Sequence, residues 1–458
     1  MKKFILCILL STFMICQSHQ NFDEYRDIIK TYRHSIKNKN LEEEKNQTEQ
    51  ETTRVENQTK TIKTWTEPLI INAKNYISRL TFTENISYNP GKYYNYPSYY
   101  QNYPAAIIID ADNVVIDLAG FNLSLNPSSA ISFLVNNPTF GIAITAGTKN
   151  VKIISSSATN SKGSITDFTG YAIYMLGSTY TNNSYDIYQN YIKNIVIDNL
   201  SISYNTGGIY LSYGILAAVT NSEVVYNFSS RPVYGISFSN VFESCIKNSK
   251  IDENYSWSDI AGIYLEDTID MTVDSCQISH QESIKKGDAI GIQITATSPL
   301  KSYMNTISKC IANTNLSSYT AGKESIGFSI TGGSHTNIIS ECETFYNSHG
   351  PAFNTLPPVV DPKGYGIKLG RTFNNQITKN KMGYHSDYGI FDIATISSSF
   401  YSNNIAMFNP AGNYSVTIPT GSGSEPLPVV LIYQNTLDTF TYTTLPIYGN
   451  LSILAGGT

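Results

Sequence analysis

The chain has 458 residues and a formal net charge of −5, with 15% of its residues charged. Such a balance excludes a nucleic-acid partner drawn in by bulk positive charge. Length alone would allow two or three average domains, a count that a repeat protein escapes because it grows by stacking.

Residues 1–18 read as a signal peptide. Lys2 and Lys3 are followed by an apolar run from Phe4 to Ile15, and Cys16-Gln17-Ser18 offers small residues for cleavage before His19. A lipoprotein signal with Cys16 lipidated is the rival, although Phe13-Met14-Ile15 lacks the small residue that such a site prefers. The apolar run is shorter than the ~20 residues needed to span a bilayer, and no later segment reaches that length. The mature chain is therefore expected to be secreted or held at the cell surface, with no transmembrane segment.

Residues 19–63 read as a polar helix and linker. Phe22, Tyr25, Ile28, Ile29, Tyr32 and Ile36 fall at helical spacing, and almost nothing apolar follows from Leu41 to Lys60. The stretch serves as a spacer or as a short oligomerisation helix. Residues 64–104 are expected to cap the folded domain at its N-terminal end, with short strands around Leu69, Ile77 and Leu80. A Tyr- and Pro-rich lid then runs from Tyr88 to Pro104.

From 105 to 410 the chain repeats itself. Gly262-Ile263-Tyr264-Leu265 opens one unit, and Val273 to Gln281 closes it. The closing pattern recurs as Ile197…Asn205, Val219…Asn227, Ile246…Asn254, Val273…Gln281, Ile307…Asn315, Ile339…Asn347 and Ile377…His385. Alternate residues are Ile, Val or small, so each unit offers an apolar face that it cannot bury alone and must stack on the next. Asn at the unit end is expected to take the left-handed conformation of a tight bend, and to hydrogen-bond from coil to coil. After Asn409-Pro410 the pattern lapses, and residues 411–458 are expected to supply a small β cap at the C-terminal end.

The segment Asn113-Val114-Val115-Ile116-Asp117-Leu118-Ala119-Gly120-Phe121-Asn122-Leu123, together with the repeat, resembles pectin-lyase-like proteins over about residues 65–410. The resemblance implies an all-β chain folded as a right-handed parallel β-helix solenoid. It says little of activity, since the family includes lyases, hydrolases, epimerases and non-catalytic members. Polygalacturonase-like enzymes carry Asn-Thr-Asp, Asp-Asp, Gly-His-Gly and Arg-Ile-Lys, and none of these occurs here. Of the arginine-base motif of pectate lyases only Arg231-Pro232 is present. Asp110, three residues before that segment, and Asp117 within it read as turn formers at strand ends.

Cys276, Cys310 and Cys342 occupy one template position on three successive units. They are expected as inward, unpaired thiols rather than as disulfide partners, even in an exported chain.

The interval from the repeat Gly to the closing Ile or Val is 11 in four of six repeats, 12 in one and 16 in another, whereas the interval from the closing Asn to the next Gly varies from 3 (Asn205 to Gly208) to 19 residues (Asn347 to Gly366). Insertions thus gather on one edge, where binding surfaces of solenoids form. On that edge Asp259, Asp288 and Glu324 each stand three residues before a repeat Gly. In-register stacking places neighbouring carboxylates about 5 Å apart. Such a pair suits glycoside hydrolysis, and the oxygens suit a calcium ion, so these three are the candidate catalytic residues. The plain alternative is a solvated acidic edge that deters aggregation. Arg231, Tyr255, Trp257, Lys285, Lys323, His349 and Lys363 complete the edge as candidate ligand-binding residues; no histidine has metal-ligand spacing. The expected partner is a polysaccharide or cell-surface glycan, bound without catalysis or, alternatively, cleaved by a lyase or hydrolase with unconventional carboxylates.

Overall fold

Within Ile260–Glu266 the side chains of Ile263 and Leu265 are buried while Tyr264 and Glu266 turn outward. The same alternation shapes the other strands of this coil, Thr272–Asp274, Gln277–Ser279 and Glu282–Ser283. Each strand is too short to stand alone, and each pairs in parallel with its counterpart one coil on: Ile263 with Ile292, Val273 with Ile307, Ile278 with Ala312, Glu282 with Leu316. The result is a right-handed parallel β-helix, the architecture that the resemblance implies. This computed structural model describes residues 66–89, 96–126, 138–157, 161–178, 188–297, 301–317, 322–349, 363–393, 399–416, 431–433 and 453–454.

One inward column runs Leu80, Ile116, Ile153, Ile197, Val219, Ile246, Val273, Ile307, Ile339, Ile377, Tyr401, each rung paired with the next. Every member is buried, and each such side chain contributes about 1.5–3 kcal/mol relative to exposure. Cys276, Cys310 and Cys342 lie inside as well, buried and free, with their Sγ atoms directed at backbone carbonyls.

The repeat glycine has a steric cause. A Cβ on Gly262 would lie 2.4 Å from Ile278 Cγ2 and 2.9 Å from the carbonyl oxygen of Gly291, and Gly235, Gly291 and Gly327 meet the same obstruction on their own coils. Only a residue without a side chain lets the inner strands approach at the spacing of about 4.8 Å.

The corners depart from expectation in one respect. The left-handed residue is not the closing Asn but the one before it: Tyr204, Tyr226, Glu253, His280, Thr314, Tyr346, Tyr384 and Phe408 all have φ between 48° and 59°. The Asn that follows turns inward. Its side-chain oxygen accepts the backbone N–H of the rung before, as in Asn205 to Asn227 (3.0 Å), Asn227 to Asn254 (3.1 Å) and Asn315 to Asn347 (3.0 Å). An inward carboxamide satisfies the backbone amide that the corner leaves buried. The left-handed residue points to solvent and needs no particular side chain.

Residues 64–104, expected as a cap, contain a coil of their own. Leu69–Asn72, Arg79–Thr81 and Ile86–Tyr88 pair in parallel with Ala105–Asp110, Val115–Asp117 and Asn122–Leu125. This coil lacks the Gly-Ile opening, so the repeat pattern does not reveal it. At the other end Gly412–Val416 and Leu431–Tyr433 pair in parallel with Tyr388–Asp392 and Phe400–Ser402, which carries the winding past 410. Residues 1–63, with the signal peptide and polar helix, lie outside the described residues.

Asp117 does more than form a turn. Its carboxylate is fully buried and pairs with Arg79 at 2.5 Å, while the Ala119 and Ser156 N–H groups and the Ser156 hydroxyl donate to it. Burial by itself would raise its pKa; the Ser156 and Ala119 donors and Arg79 outweigh burial and hold it below the usual carboxylate range.

Candidate functional site

The varied edge lies where the short fourth strand of each coil turns into the Gly-Ile strand of the next. Backbone pairing puts the expected acidic residues in one column: Ile260 pairs with Ala289 and Ala289 with Ser325, while Glu324 pairs with Lys363. Side-chain bonds lock that column. Asp259 Oδ1 accepts the N–H of Asp288 at 3.0 Å, and Asp288 Oδ1 accepts the N–H of Glu324 at 2.9 Å. Each carboxylate thereby caps the backbone of the following coil.

Cations fit between the acids. Lys323 Nζ lies 3.4 Å from Asp259 Oδ1 and 3.7 Å from Asp288 Oδ1, so one ammonium ties two coils. Glu324 pairs through Oε2 with Lys368, which the sequence reading did not single out. Burial raises the Asp288 carboxyl above the usual carboxylate range, and Asp259 and Glu324 push the same way against the Glu324 N–H and Lys323.

Trp257 is 41% exposed. Lys285 Nζ stands 3.5 Å from the centroid of its ring, and Phe228 meets it edge-on at 5.8 Å. The indole therefore presents a rim and a cation-capped face rather than a bare stacking platform. Arg231 is exposed; its N–H donates to Ser229 Oγ at 3.0 Å and its carbonyl accepts the Ser256 hydroxyl at 2.9 Å, which fixes the backbone and leaves the guanidinium outermost. Tyr255 belongs to the five-stranded sheet, half-buried in register between Phe228 and Glu282. Lys363 stands beside Glu324 in register. His349 lies in the strand Ser348–His349 beside Ser317, and its side chain is outside the described residues.

The structure thus gathers Asp259, Asp288, Glu324, Lys323 and Lys363 at one edge, with Trp257, Lys285 and Arg231 on the turns that lead into it. Among the described residues no group of three His, Cys, Asp or Glu side chains converges on a point that would hold a metal ion. The three carboxylates are spread along a ladder and already engaged by backbone N–H groups or lysines, which is not a calcium cage.

The sequence reading missed a neighbouring feature. The residue before each repeat Gly forms a second outward column: Tyr234, Ala261, Ile290, Ile326, Tyr365, Tyr388. These residues face away from the core yet cluster with Tyr264 and Phe391, and Tyr365 stacks on Phe391 at 4.8 Å. Their signal was legible, because an outward strand position occupied by Tyr, Ala, Ile, Ile, Tyr and Tyr breaks the rule that such positions are polar.

No family model matches the chain, and no curated protein matches it. Solved structures that align with it include the Dettilon tailspike protein gp208, at 12% identity and a TM-score of 0.45 over 83% of this chain and 60% of that one. Pectate lyase Pel9A aligns at 12% identity and a TM-score of 0.41, over 83% and 79% of the two chains. The A-module of mannuronan C-5 epimerase AlgE6 from Azotobacter vinelandii aligns at 12% and 0.45, over 83% and 91%. The chain spans 60% of the length of the tailspike. Among the described residues no helix is long and apolar enough to cross a membrane.

Proposed function

We propose that this chain is an exported binding protein that holds a polysaccharide along the edge running from Arg231 to Lys363, without chemistry of its own. The observation that carries this reading is the locked carboxylate ladder. Asp259 and Asp288 each commit Oδ1 to the backbone of the next coil and to Lys323. Each of these contacts is made through Oδ1. Two neighbouring coils therefore offer pre-positioned carboxylates beside one ammonium, Lys323, at a spacing of about 4.8 Å, which suits the repeating hydroxyls of a polymer laid along the axis. Little ordering is needed to bind, because the groups are already held.

One feature favours the alternative, cleavage by a lyase or hydrolase. Burial keeps the Asp288 carboxyl above its ordinary range, as a general acid requires, and Asp259 stands on the neighbouring coil. Against it, Lys323 occupies the gap between the two carboxylates, where a scissile bond would have to enter.

The test is to incubate the purified protein with a panel of neutral and acidic polysaccharides, scoring retention on the immobilised glycan and release of reducing or unsaturated ends. Retention with no product is expected. Product release on any member makes the chain an enzyme, and failure to bind any member removes the glycan reading.

A further inference from the structure

One corner before the varied edge, the turn after the strands Glu343–Phe345, Lys381–Gly383 and Ile405–Met407 carries large apolar side chains in water. Tyr346, Tyr384 and Phe408 are 55%, 45% and 64% exposed, and they stack in sequence at 5.1 Å and 5.1 Å. Phe345 lies beside Tyr346, and Met407 packs over Gly383. Such a contiguous patch on a soluble surface marks a docking face. Both faces of Tyr384 are covered by its neighbours, so the middle of the stack presents a ring edge and a hydroxyl.

The charges around the patch are sorted by coil. Glu341 and Glu343 lie on one coil, and Lys379 and Lys381 on the next, paired across it at 3.4 Å and 3.1 Å. Along the outward column of this sheet the order is Ile311, Glu343, Lys381, Ile405, each in register with the next. That order is apolar, acidic, basic, apolar. Reversed end to end, it matches itself with opposite charges at the centre.

We propose that this face binds a second copy of the same chain, with the two solenoids antiparallel about a two-fold axis that runs along the strands between the acidic and the basic coil. In that arrangement Glu343 faces Lys381 of the other copy, Glu341 faces its Lys379, Ile311 faces its Ile405 and Tyr346 faces its Tyr384. An isologous contact requires this self-complementarity. A parallel arrangement would set carboxylate against carboxylate and lysine against lysine, which selects against it.

Sedimentation velocity on the purified full chain over a concentration series tests the proposal, with circular dichroism confirming the β-sheet content of each variant. The unaltered chain should dimerise, and Tyr346→Ser with Tyr384→Ser should be monomeric. A chain with Glu341→Lys and Glu343→Lys, and another with Lys379→Glu and Lys381→Glu, should each be monomeric alone. Mixed in equal amounts, these two should form a heterodimer, since every facing pair is again of opposite sign. An unaltered chain that stays monomeric at every concentration overturns the proposal. So does a dimer that survives both tyrosine substitutions, or a mixture that fails to associate.

Discussion

The column of inward carboxamides contains one rung that titrates. Between Asn347 and Asn409 the position is held by His385, whose ring Nδ1 accepts the Asn347 N–H at 3.3 Å and whose backbone N–H donates to Asn409 Oδ1 at 3.0 Å. The ring is buried and its Nε2 has no hydrogen-bond partner among the described residues. Burial drives its pKa down from 6.5 to about 3. The folded state therefore binds this proton only near pH 3, whereas the unfolded chain binds it near pH 6.5. Between those values unfolding takes up a proton, so stability is full above about pH 6.5 and falls as pH drops toward 3. At about pH 5 the loss is some 1.5 units, or about 2 kcal/mol at 1.36 kcal/mol per unit. His385→Asn keeps an acceptor for the Asn347 N–H and removes the titration. Urea unfolding at about pH 7.5 and about pH 5 should show the native chain losing about 2 kcal/mol more than the variant across that interval. His335, also lowered by burial, contributes equally to both chains and cancels in the difference. Equal losses in the two proteins would refute the reasoning.

Gly262→Ala should destabilise by about 1–3 kcal/mol in chemical unfolding, because its Cβ has no space between Ile278 and the Gly291 carbonyl; an unchanged midpoint would contradict the steric account of the repeat. Thiol labelling should leave Cys276, Cys310 and Cys342 unreactive in the folded chain and modify all three after denaturation without reductant, since they are buried and unpaired. Failure to label the denatured chain would mean disulfides. Trp257→Ala should weaken binding of the retained polysaccharide by about 0.5–1.5 kcal/mol, by analogy with aromatic pairs, while the unfolding midpoint holds. Calorimetry that finds affinity unaltered removes Trp257 from the edge.

What the sequence made legible was whatever the interior constrains. The column from Ile197 to Ile377 can be read because Ile or Val recurs at one inward position of successive strands stacked at about 4.8 Å, and the repeat Gly because any Cβ there meets a backbone carbonyl. The closing Asn was equally visible, but its conformation was assigned one residue late. Asn tolerates the left-handed region so readily that its presence suggested it. In fact the corner spends its Asn on the buried amide and leaves the left-handed position to Tyr, Glu, His, Thr or Phe, with no composition to announce it. The ladder of Asp259, Asp288 and Glu324 was legible from spacing alone, whereas the lysines that neutralise it were only half so. Lys368, forty-four residues after its partner Glu324, sits at an outward strand position where any polar residue would have passed unnoticed.

The outside of a solenoid carries information only where it departs from what folding requires. Most outward positions answer to water, and Ser, Gln and Lys alternate there without consequence for the core. Two departures stand out. One is the column Tyr234, Ala261, Ile290, Ile326, Tyr365, Tyr388, apolar at outward positions and covered by its own neighbours, beside a charged column two residues earlier in the chain. The other is the stack Tyr346, Tyr384, Phe408, three rings left in solvent at a corner that imposes no side chain at all. Neither follows from the coil. A left-handed residue costs less as Gly or Asn than as Tyr or Phe, so the rings at these corners, the stacked Tyr204 and Tyr226 among them, are not something the coil requires. Contact with another surface supplies that requirement. The sorting of Glu341, Glu343, Lys379 and Lys381 beside those rings is what distinguishes a copy of the same chain from any other surface that would cover them.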